Sequence, residues 1–516
     1  MELFEVTLLL LAVAVVLLQA ARRLRVPYPA LLALVGGFVA ALPFAPRLTI
    51  EPRLALALFV APAVMDTAFE LPPRELLRNW IPLVSLAVML VLVTTAVVAW
   101  VGVEFAGLPV AAAVALGAIV APPDAAAAAA VLREFELPRR AMSVLQGESL
   151  LNDAVSLLAF GIAVSIAMTP EKGLAPLLPR LLIAVPGGAL LGVATGMAGM
   201  RLQKRLAGTL SSIIAQFLIT FGTWILADHL GVSPIIAVVA LAAVVARYAP
   251  QRTSARDRIN SNAVWVTVIF VLNVLAFLLM GLQARIIFTQ LSGTALARAL
   301  TWAGLVLATV ILVRFAWVMT YGWIVRRRFS NQLKKRVVGG AVPSVRTGIL
   351  VSWCGMRGLV TLATAFALPP QFPRREELVL AAFTVVLGTL VVQGFTIRPL
   401  IAWLKFAKDP SLDEEVAETR AAMLEAALAS LENESGAVAD EVRAEFAAAR
   451  SGSIDRARPS TAYDVLRRRA LEAERKLLND WRLKGRILDD VYHHLEDELD
   501  RTELDVAAPE TSWLEN

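Results

Sequence analysis

The sequence is poor in cysteine and histidine, and each shortage excludes a class of site. Its single cysteine, Cys354, can form neither an internal disulfide nor a metal centre built from cysteines. Of its 3 histidines, two are the adjacent pair His493 and His494, which leaves His229 alone in the rest of the chain. The chain therefore has too few groups for a hydrolase that uses a histidine base, and no enzyme is predicted.

Hydrophobic residues are abundant instead. They make up 58% of the chain, and the mean hydropathy is +0.67. Many stretches approach or exceed the roughly 18 apolar residues expected of a membrane-spanning helix, so we predict an all-α polytopic membrane protein. The predicted transmembrane segments number about 13 and lie near residues 3–20, 28–45, 54–68, 81–103, 109–131, 145–168, 179–199, 209–228, 233–248, 262–284, 297–324, 347–369 and 377–403.

The distribution of arginine and lysine predicts the orientation of these segments. No basic residue precedes the first segment, unlike a signal peptide, and three arginines follow it. Loops after the other odd-numbered segments are also rich in basic residues, and loops after even-numbered segments are poorer. Because basic loops stay in the cytoplasm, we predict a cell-membrane protein with its N-terminus outside and its C-terminus inside. The exceptions to the bias are Arg47, Arg53, Arg285, Arg298, Arg374 and Arg375.

Residues 405–516 differ in composition from the rest and are predicted to form a helical cytoplasmic tail. They contain 16 Lys/Arg and 26 Asp/Glu, which gives a formal charge of −10, while the preceding part carries +16 in its loops. No soluble basic face is visible, which argues against a nucleic-acid-binding protein. The tail is a solvated helix, a pH sensor built on His493 and His494, or an autoregulatory segment that docks on the arginine-rich loops.

One apolar segment, residues 145–168, contains several polar and ionisable groups. Glu148 and Asn152 are four residues apart and share one face of a helix, while Ser149 and Asp153 share the adjoining face. An acid in hydrocarbon is costly unless it is paired or hydrated, so intramembrane acids mark ion or proton pathways. This polar stripe is typical of a carrier that couples a cation to protons.

The fifth segment is predicted to contain a broken helix. Pro122 and Pro123 remove two backbone donors, and the alanine run that follows restores the helix. A break at mid-membrane exposes backbone carbonyls and a positive helix N-terminus, and Asp124 stands where it can compensate that positive end. Discontinuous helices are the usual ion sites of secondary transporters. The alternative is a simple proline kink.

The twelfth segment is predicted to be the counterpart of the fifth. Gly355 and Gly358 flank Arg357 within an apolar span. Glycine loosens the helix, and the arginine supplies a fixed positive charge at the break. The two segments hold equivalent positions in two halves of the chain, which is the signature of inverted repeats with crossed broken helices.

Arg314 lies deep in the eleventh segment and needs a partner. Glu148 is the predicted partner. Asp153 is then left to titrate, because a carboxylate locked to an arginine stays ionised and makes a poor proton carrier. The alternative is that Arg314 lies near the cytoplasmic interface and extends its side chain into water.

These motifs together resemble the monovalent cation/proton antiporters of the first cation:proton antiporter family, which includes bacterial NhaP-type sodium/proton antiporters. The resemblance covers roughly residues 1–405. It rests on Glu148-Ser149-Leu150-Leu151-Asn152-Asp153, Ala121-Pro122-Pro123-Asp124, Arg314, Gly355-Met356-Arg357-Gly358 and Phe277-Leu278-Leu279-Met280-Gly281-Leu282-Gln283. It implies an antiporter domain over residues 1–404, in which a core (about 81–168 and 297–403) moves against the remaining helices, and these form a homodimer.

The resemblance also implies roles for the polar stripe. Asp153 would bind either a cation or a proton, and Ser149 would offer a hydroxyl oxygen to the cation. Asn152 replaces the second aspartate of electrogenic relatives, which implies exchange of one cation for one proton without net charge. Glu148 and Arg314 would form a structural ion pair that orients Asn152.

One position departs from the family pattern. Many members carry threonine where this chain has Pro123, which has no hydroxyl to offer a cation. Asp124 and the backbone around Pro123 still supply oxygens. The resemblance therefore implies a hard monovalent cation but leaves Na⁺, Li⁺ and K⁺ open.

The predicted function is electroneutral exchange of a monovalent cation, first Na⁺, for H⁺ by alternating access. No cofactor is expected, and the ions are substrates. K⁺/H⁺ exchange by the same mechanism is the alternative. A cation channel, or a sensor that signals through the tail, is the hypothesis from another class, and a channel would conduct without proton coupling.

Overall fold

A computed structural model gives the architecture of the protein. It describes residues 2–24, 26–40, 42, 51–70, 80–124, 128, 132, 139–169, 178–206, 209, 211–252, 255–282, 293–329 and 344–406. The chain divides into two units, Met1–Ala407 and Lys408–Asn516. The second unit lies outside the described residues, and so do the predictions made for the tail and its histidines.

The described residues of the first unit are almost entirely helical. The helices of its first half are α1 Glu2–Leu24, α2 Tyr28–Ala40, α3 Pro52–Ala55, α4 Ala61–Glu70, α5 Trp80–Val84, α6 Leu90–Ala106, α7 Val110–Val120 and α8 Arg139–Met168. Those of its second half are α9 Leu178–Leu206, α10 Ser211–Leu230, α11 Pro234–Arg252, α12 Ala255–Leu282, α13 Gly293–Phe329, α14 Val345–Trp353, α15 Leu359–Phe366 and α16 Arg375–Leu404. Short π-helical turns join α3 to α4 and α5 to α6. The all-α prediction is confirmed.

Seven helices of the described residues are long and apolar enough to cross a membrane. Their apolar windows lie in Trp80–Ala106, Val144–Met168, Ile183–Leu206, Ser211–Leu230, Ser261–Leu282, Ala297–Arg327 and Arg375–Leu404. Shorter apolar helices occur at Tyr28–Ala40, Leu56–Asp66, Val110–Val120 and Pro234–Tyr248. The polytopic class is confirmed, while the count of thirteen spans and the inverted-repeat relation stay predictions.

Two helices, α7 and α16, lie in the interior of the bundle. In α16, 67% of the apolar window is buried, compared with 28–44% in the other six spans. The side chains of α7 are mostly small and are buried from Ala112 onward except at Val114. Small residues let helices approach closely, and a Cβ at Gly117 would overlap the backbone of Thr95 in α6. The two interior helices are therefore closely packed and can hold the segments at their ends in place.

Two arginines that break the predicted charge bias have structural roles. The Arg374 guanidinium donates to the carbonyl of Ala106 at the end of α6 (3.2 Å), and Arg375 Nε donates to the carbonyl of Leu368 just after α15 (3.0 Å). Carbonyls at helix C-termini lack intrahelical partners and carry partial negative charge, which a cation stabilises. Arg374 and Arg375 therefore join the ends of α6 and α15 to the start of α16.

Candidate functional site

The two predicted helix breaks lie against each other. α7 ends at Val120 and is followed by residues 121–124 without helical structure, and α14 and α15 are separated by residues 354–358, which we call the crossover segment. The backbone N–H of Asp124 donates to the carbonyl of Met356 at 2.7 Å. Backbone that leaves a helix at this depth needs such partners, and the two breaks supply them to each other.

Arg357 stabilises the C-terminal end of the opposite helix. Its guanidinium is 1% exposed and donates to the carbonyls of Val120 (3.1 Å) and Ala121 (3.3 Å) at the end of α7, and to Gly355 in its own segment. Its backbone N–H donates to Thr389 Oγ1 of α16 at 3.0 Å. The charge thus neutralises the negative end of α7 and fixes the crossover segment to both interior helices.

Asp124 likewise compensates the opposite helix. A Cβ added at Gly358 would overlap the Asp124 carboxylate, so this carboxylate lies directly on Gly358. Gly358 is the N-cap of α15, where the helix dipole is positive and a carboxylate is stabilised. The sequence assigned Asp124 to the positive end of its own broken helix. The structure places it at the start of α15, because the two breaks cross.

Gly355 and Gly358 are needed for close approach more than for loosening the helix. A Cβ at Gly355 would overlap the side chain of Arg314, as one at Gly358 would overlap Asp124. Gly358 has φ −145° and ψ −144°, which is extended backbone and not the left-handed region. The missing Cβ is therefore the feature that the site uses at both positions.

Gly358→Ala is expected to displace the Asp124 carboxylate from the N-cap of α15. We expect a loss of about 1–3 kcal/mol in the free energy of unfolding, as for other overpacked positions, and slower ion exchange. Thermal unfolding in detergent and transport per folded protein measure the two effects. Gly304→Ala in α13, where no described atom lies within 4 Å of the added Cβ, is the control. It should leave transport unchanged and should not lower the free energy of unfolding, because alanine is favoured over glycine inside a helix. Unchanged transport by Gly358→Ala would contradict the placement of Asp124.

Two polar side chains fix α8 to the first break. Asn152 Nδ2 donates to the carbonyl of Pro123 at 3.1 Å, and Ser156 Oγ donates to the carbonyl of Ala118 at 2.7 Å. Both side chains are almost fully buried, and Asn152 Oδ1 has no partner among the described residues. Sequence reasoning missed Ser156. Its signal was the continuation of the stripe Glu148–Asn152 by four more residues.

Glu148 and Arg314 form a two-pronged ion pair. Both are 1% exposed, and Arg314 Nη1 and Nη2 donate to the two carboxylate oxygens, the latter bond at 2.9 Å. Arg314 also donates to the carbonyl of Val351 in the last turn of α14, from Nη2 at 3.0 Å and from Nε at 3.2 Å. It therefore stabilises α14 as Arg357 stabilises α7, a second role that the sequence did not indicate.

Asp153 differs from Glu148 in accessibility and partner. It is 7% exposed, compared with 1% for Glu148, and it interacts electrostatically with Asp124. The next residue, Ala154, packs in an apolar cluster with α4, α10 and α11, whereas other buried residues of α8 pack with α7 and α16. Asp153 therefore lies where two groups of helices meet.

A small cavity opens beside these residues. Its volume is about 20 Å³, which is room for about one water molecule. It is lined by Pro123, Asp124, Ala128, Leu132, Met142, Leu145, Gln146, Glu148, Ser149, Arg314 and Cys354. Ser149 thus faces the same space as the first break. Across the described residues, no group of three or more His, Cys, Asp or Glu is arranged to hold a metal ion.

Comparison with known proteins identifies the family. The family model described as "Sodium/hydrogen exchanger, transmembrane" matches residues 8–403. An uncharacterised Na⁺/H⁺ exchanger of Mycobacterium tuberculosis is 32% identical over 449 residues, which cover 84% of this chain and 80% of the relative. A sodium, potassium, lithium and rubidium/H⁺ antiporter of Bacillus subtilis is 29% identical over 76% of this chain and 60% of its own length.

A solved structure has the same fold. The sodium proton antiporter MjNhaP1 of Methanocaldococcus jannaschii matches with a TM-score of 0.60 at 15% identity, over 79% of this chain and 100% of that one. At this identity the likeness concerns the fold. The family match over residues 8–403 and the identity to the mycobacterial relative carry the assignment: the chain belongs to the sodium/hydrogen exchanger family.

Proposed function

We propose that the protein exchanges Na⁺ for H⁺ across the cell membrane, with Asp153 binding the two ions in competition. The observation that carries this proposal is the unequal environment of the two acids on α8. Glu148 is held by Nη1 and Nη2 of Arg314, whereas Asp153 is more exposed and has no such partner ion among the described residues. A carboxylate that must take up and release a proton has to be the one that is not locked to an arginine.

Residues that can offer oxygen ligands to a hard cation line the cavity one helical turn before Asp153. Ser149, with a hydroxyl, Asp124, with a carboxylate, and Pro123, whose carbonyl also accepts from Asn152, line this cavity of about 20 Å³. Such a volume suits one dehydrated ion, and oxygen is the donor that hard cations prefer. With Asp153 one turn along α8, these groups form the proposed cation site.

The charge balance supports exchange of one cation for one proton. Asn152 is neutral and is bonded to Pro123. Asp124 lies at the start of α15, where the helix end offsets its charge. One titrating carboxylate then carries either one Na⁺ or one H⁺, and the cycle moves no net charge.

Alternating access is proposed to occur at the boundary beside Asp153. The helices that hold the breaks, within residues 81–168 and 297–403, would form the moving core, and the remaining helices of residues 1–404 would form the dimer contacts. The separate apolar cluster that joins Ala154 to α4, α10 and α11 supports a boundary between these helices and the core. We also propose that the protein is a homodimer and that its N-terminus is external. Residues 405–516 would form a cytoplasmic tail.

Potassium is the alternative cation. The Bacillus subtilis relative is named for sodium, potassium, lithium and rubidium, and carbonyl and hydroxyl oxygens accept all of these ions. Pro123 removes the hydroxyl expected at that position, so fewer ligands fix the ion's size. A channel is less well supported, because an acid such as Asp153 next to the proposed cation site would couple proton binding to cation binding.

Competition at Asp153 predicts a specific pH dependence. In the acidic part of the pH range, the apparent KM for Na⁺ should rise about tenfold for each unit by which the pH falls, because one proton displaces one cation. The maximal rate should stay unchanged. Na⁺-driven proton flux in membrane vesicles between pH 5 and 9 measures this. A KM for Na⁺ that does not depend on pH would contradict a shared site, and a hundredfold change per unit would mean that two protons compete.

A further inference from the structure

Gln393 in α16 carries a fully buried amide side chain. Its side chain is 0% exposed, and neither its oxygen nor its nitrogen has a hydrogen-bond partner among the described residues. Leaving such a group unsatisfied is costly because its desolvation is not compensated, and buried polar groups in folded proteins are nearly always bonded. Neither the ion pair nor the proposed cation site uses Gln393.

The position of Gln393 is defined by two neighbours on the same helix face. Thr389 Oγ1 accepts from the backbone N–H of Arg357 at 3.0 Å, and Thr396 Oγ1 accepts from Trp353 Nε1 at 2.8 Å. Residues 389, 393 and 396 have the spacing i, i+4, i+7, which places them on one face of α16. Gln393 lies between the two contacts and therefore faces the crossover segment.

The backbone of the crossover segment, which lies next to Gln393, offers groups that an amide can bond. The crossover segment has no helical structure over residues 355–358, so its N–H and C=O groups depend on partners from elsewhere. A Cβ at Gly394 would lie 3.8 Å from the sulfur of Met356, which confirms that this turn of α16 is close to the segment. An amide that both donates and accepts is suited to such backbone.

We propose that Gln393 is a positioning residue of the exchange cycle, whose amide bonds the backbone of the crossover segment in the carrier conformation that faces the other side of the membrane. This inference rests on the proposed alternating-access exchange. A group that is bonded in only one of two conformations shifts their populations. In the described conformation the amide finds no partner among the residues that the structure describes, which raises the energy of that conformation and lowers the barrier to leaving it.

The test replaces the amide with an apolar chain of similar length. Gln393→Met should leave thermal unfolding unchanged or raise its midpoint, because no bond of the described conformation is lost. Turnover of Na⁺-driven proton flux should fall about tenfold, the size expected for one or two lost hydrogen bonds in the other conformation. The apparent KM for Na⁺ should fall on the side that the described conformation faces and rise on the opposite side.

These readouts separate positioning from a structural role. Right-side-out and inverted vesicles give the KM for Na⁺ on each side, and Gln393→Leu repeats the test with a second apolar side chain. Thr223→Val in α10 is the control. It removes a buried hydroxyl that also has no partner among the described residues, and it should leave turnover and both KM values unchanged.

Three outcomes would overturn the inference. One is a lower unfolding midpoint with unchanged turnover per folded protein. The second is failure of both Gln393 variants to fold, since the described conformation makes no use of the amide. The third is a shift of the two KM values in the same direction. Absence of Na⁺-driven flux in the wild type would instead contradict the proposed function.

Discussion

Asp153→Asn is expected to abolish Na⁺/H⁺ exchange while the protein stays folded and membrane-inserted. Asparagine has nearly the same shape but can neither release a proton nor attract a cation by charge. Because no arginine in the described part of the chain pairs with Asp153, its neutralisation is expected to leave no buried cation without a partner there, so stability should be retained or increased. Na⁺-driven proton flux in vesicles measures activity, and thermal unfolding of the purified protein measures folding.

The matched control is Asp228→Asn. Asp228 is an exposed acid at the end of α10, and the same chemical change there should alter neither flux nor unfolding. Exchange at the wild-type rate by Asp153→Asn, at equal protein levels, would show that the proton is carried elsewhere. Loss of folding by this variant would assign Asp153 a structural role.

Arg314→Met is expected to destabilise the protein strongly. It leaves the Glu148 carboxylate buried without a counter-charge and removes the donors to the Val351 carbonyl. Breaking a buried pair from one side costs about 3–5 kcal/mol, so little folded protein should survive extraction in detergent. The double variant Arg314→Met with Glu148→Gln should recover part of this loss, because no unpaired charge remains.

Arg298→Met is the control for this effect. Arg298 lies on the same helix α13 but is exposed, and its replacement should shift the unfolding midpoint little. Fluorescence-detected size exclusion and thermal unfolding of the four proteins give the comparison. An unfolding midpoint of Arg314→Met equal to that of the wild type would contradict a structural role for the pair. A double variant no more stable than the single one would place the cost in α14 instead.

The sequence predicts which residues need partners better than it predicts which partners they find. Glu148 and Arg314 are opposite charges in apolar segments, and each is costly to leave unpaired, so their pairing could be predicted. Arg357 offers no such simple choice, because its partners are the carbonyls of Val120 and Ala121. These carbonyls are unbonded only because α7 ends there, and they reach Arg357 only because the breaks cross.

Partners that are distant in sequence also explain why the sequence misplaced Asp124 and why Arg374 and Arg375 are exceptions to the charge bias. A linear reading relates Asp124 to its own helix, whereas the crossing brings it to the N-cap of α15. Arg374 and Arg375 contradict a charge rule based on loops, because their partners are helix ends 7 to 268 residues away in sequence. By contrast, Ser156 continues a periodic stripe and was within reach of sequence reasoning.

Proton flux in proteoliposomes under a potassium/valinomycin voltage clamp, measured for the wild type and for Asp153→Asn, decides whether exchange takes place at Asp153. We expect that adding Na⁺ on one side moves protons in the opposite direction in the wild type, at a rate independent of the clamped voltage, and moves none in the variant. A flux driven by K⁺ alone would keep the mechanism and change the substrate. Flux through Asp153→Asn equal to that of the wild type, or no proton movement with any monovalent cation in the wild type, would contradict exchange at Asp153.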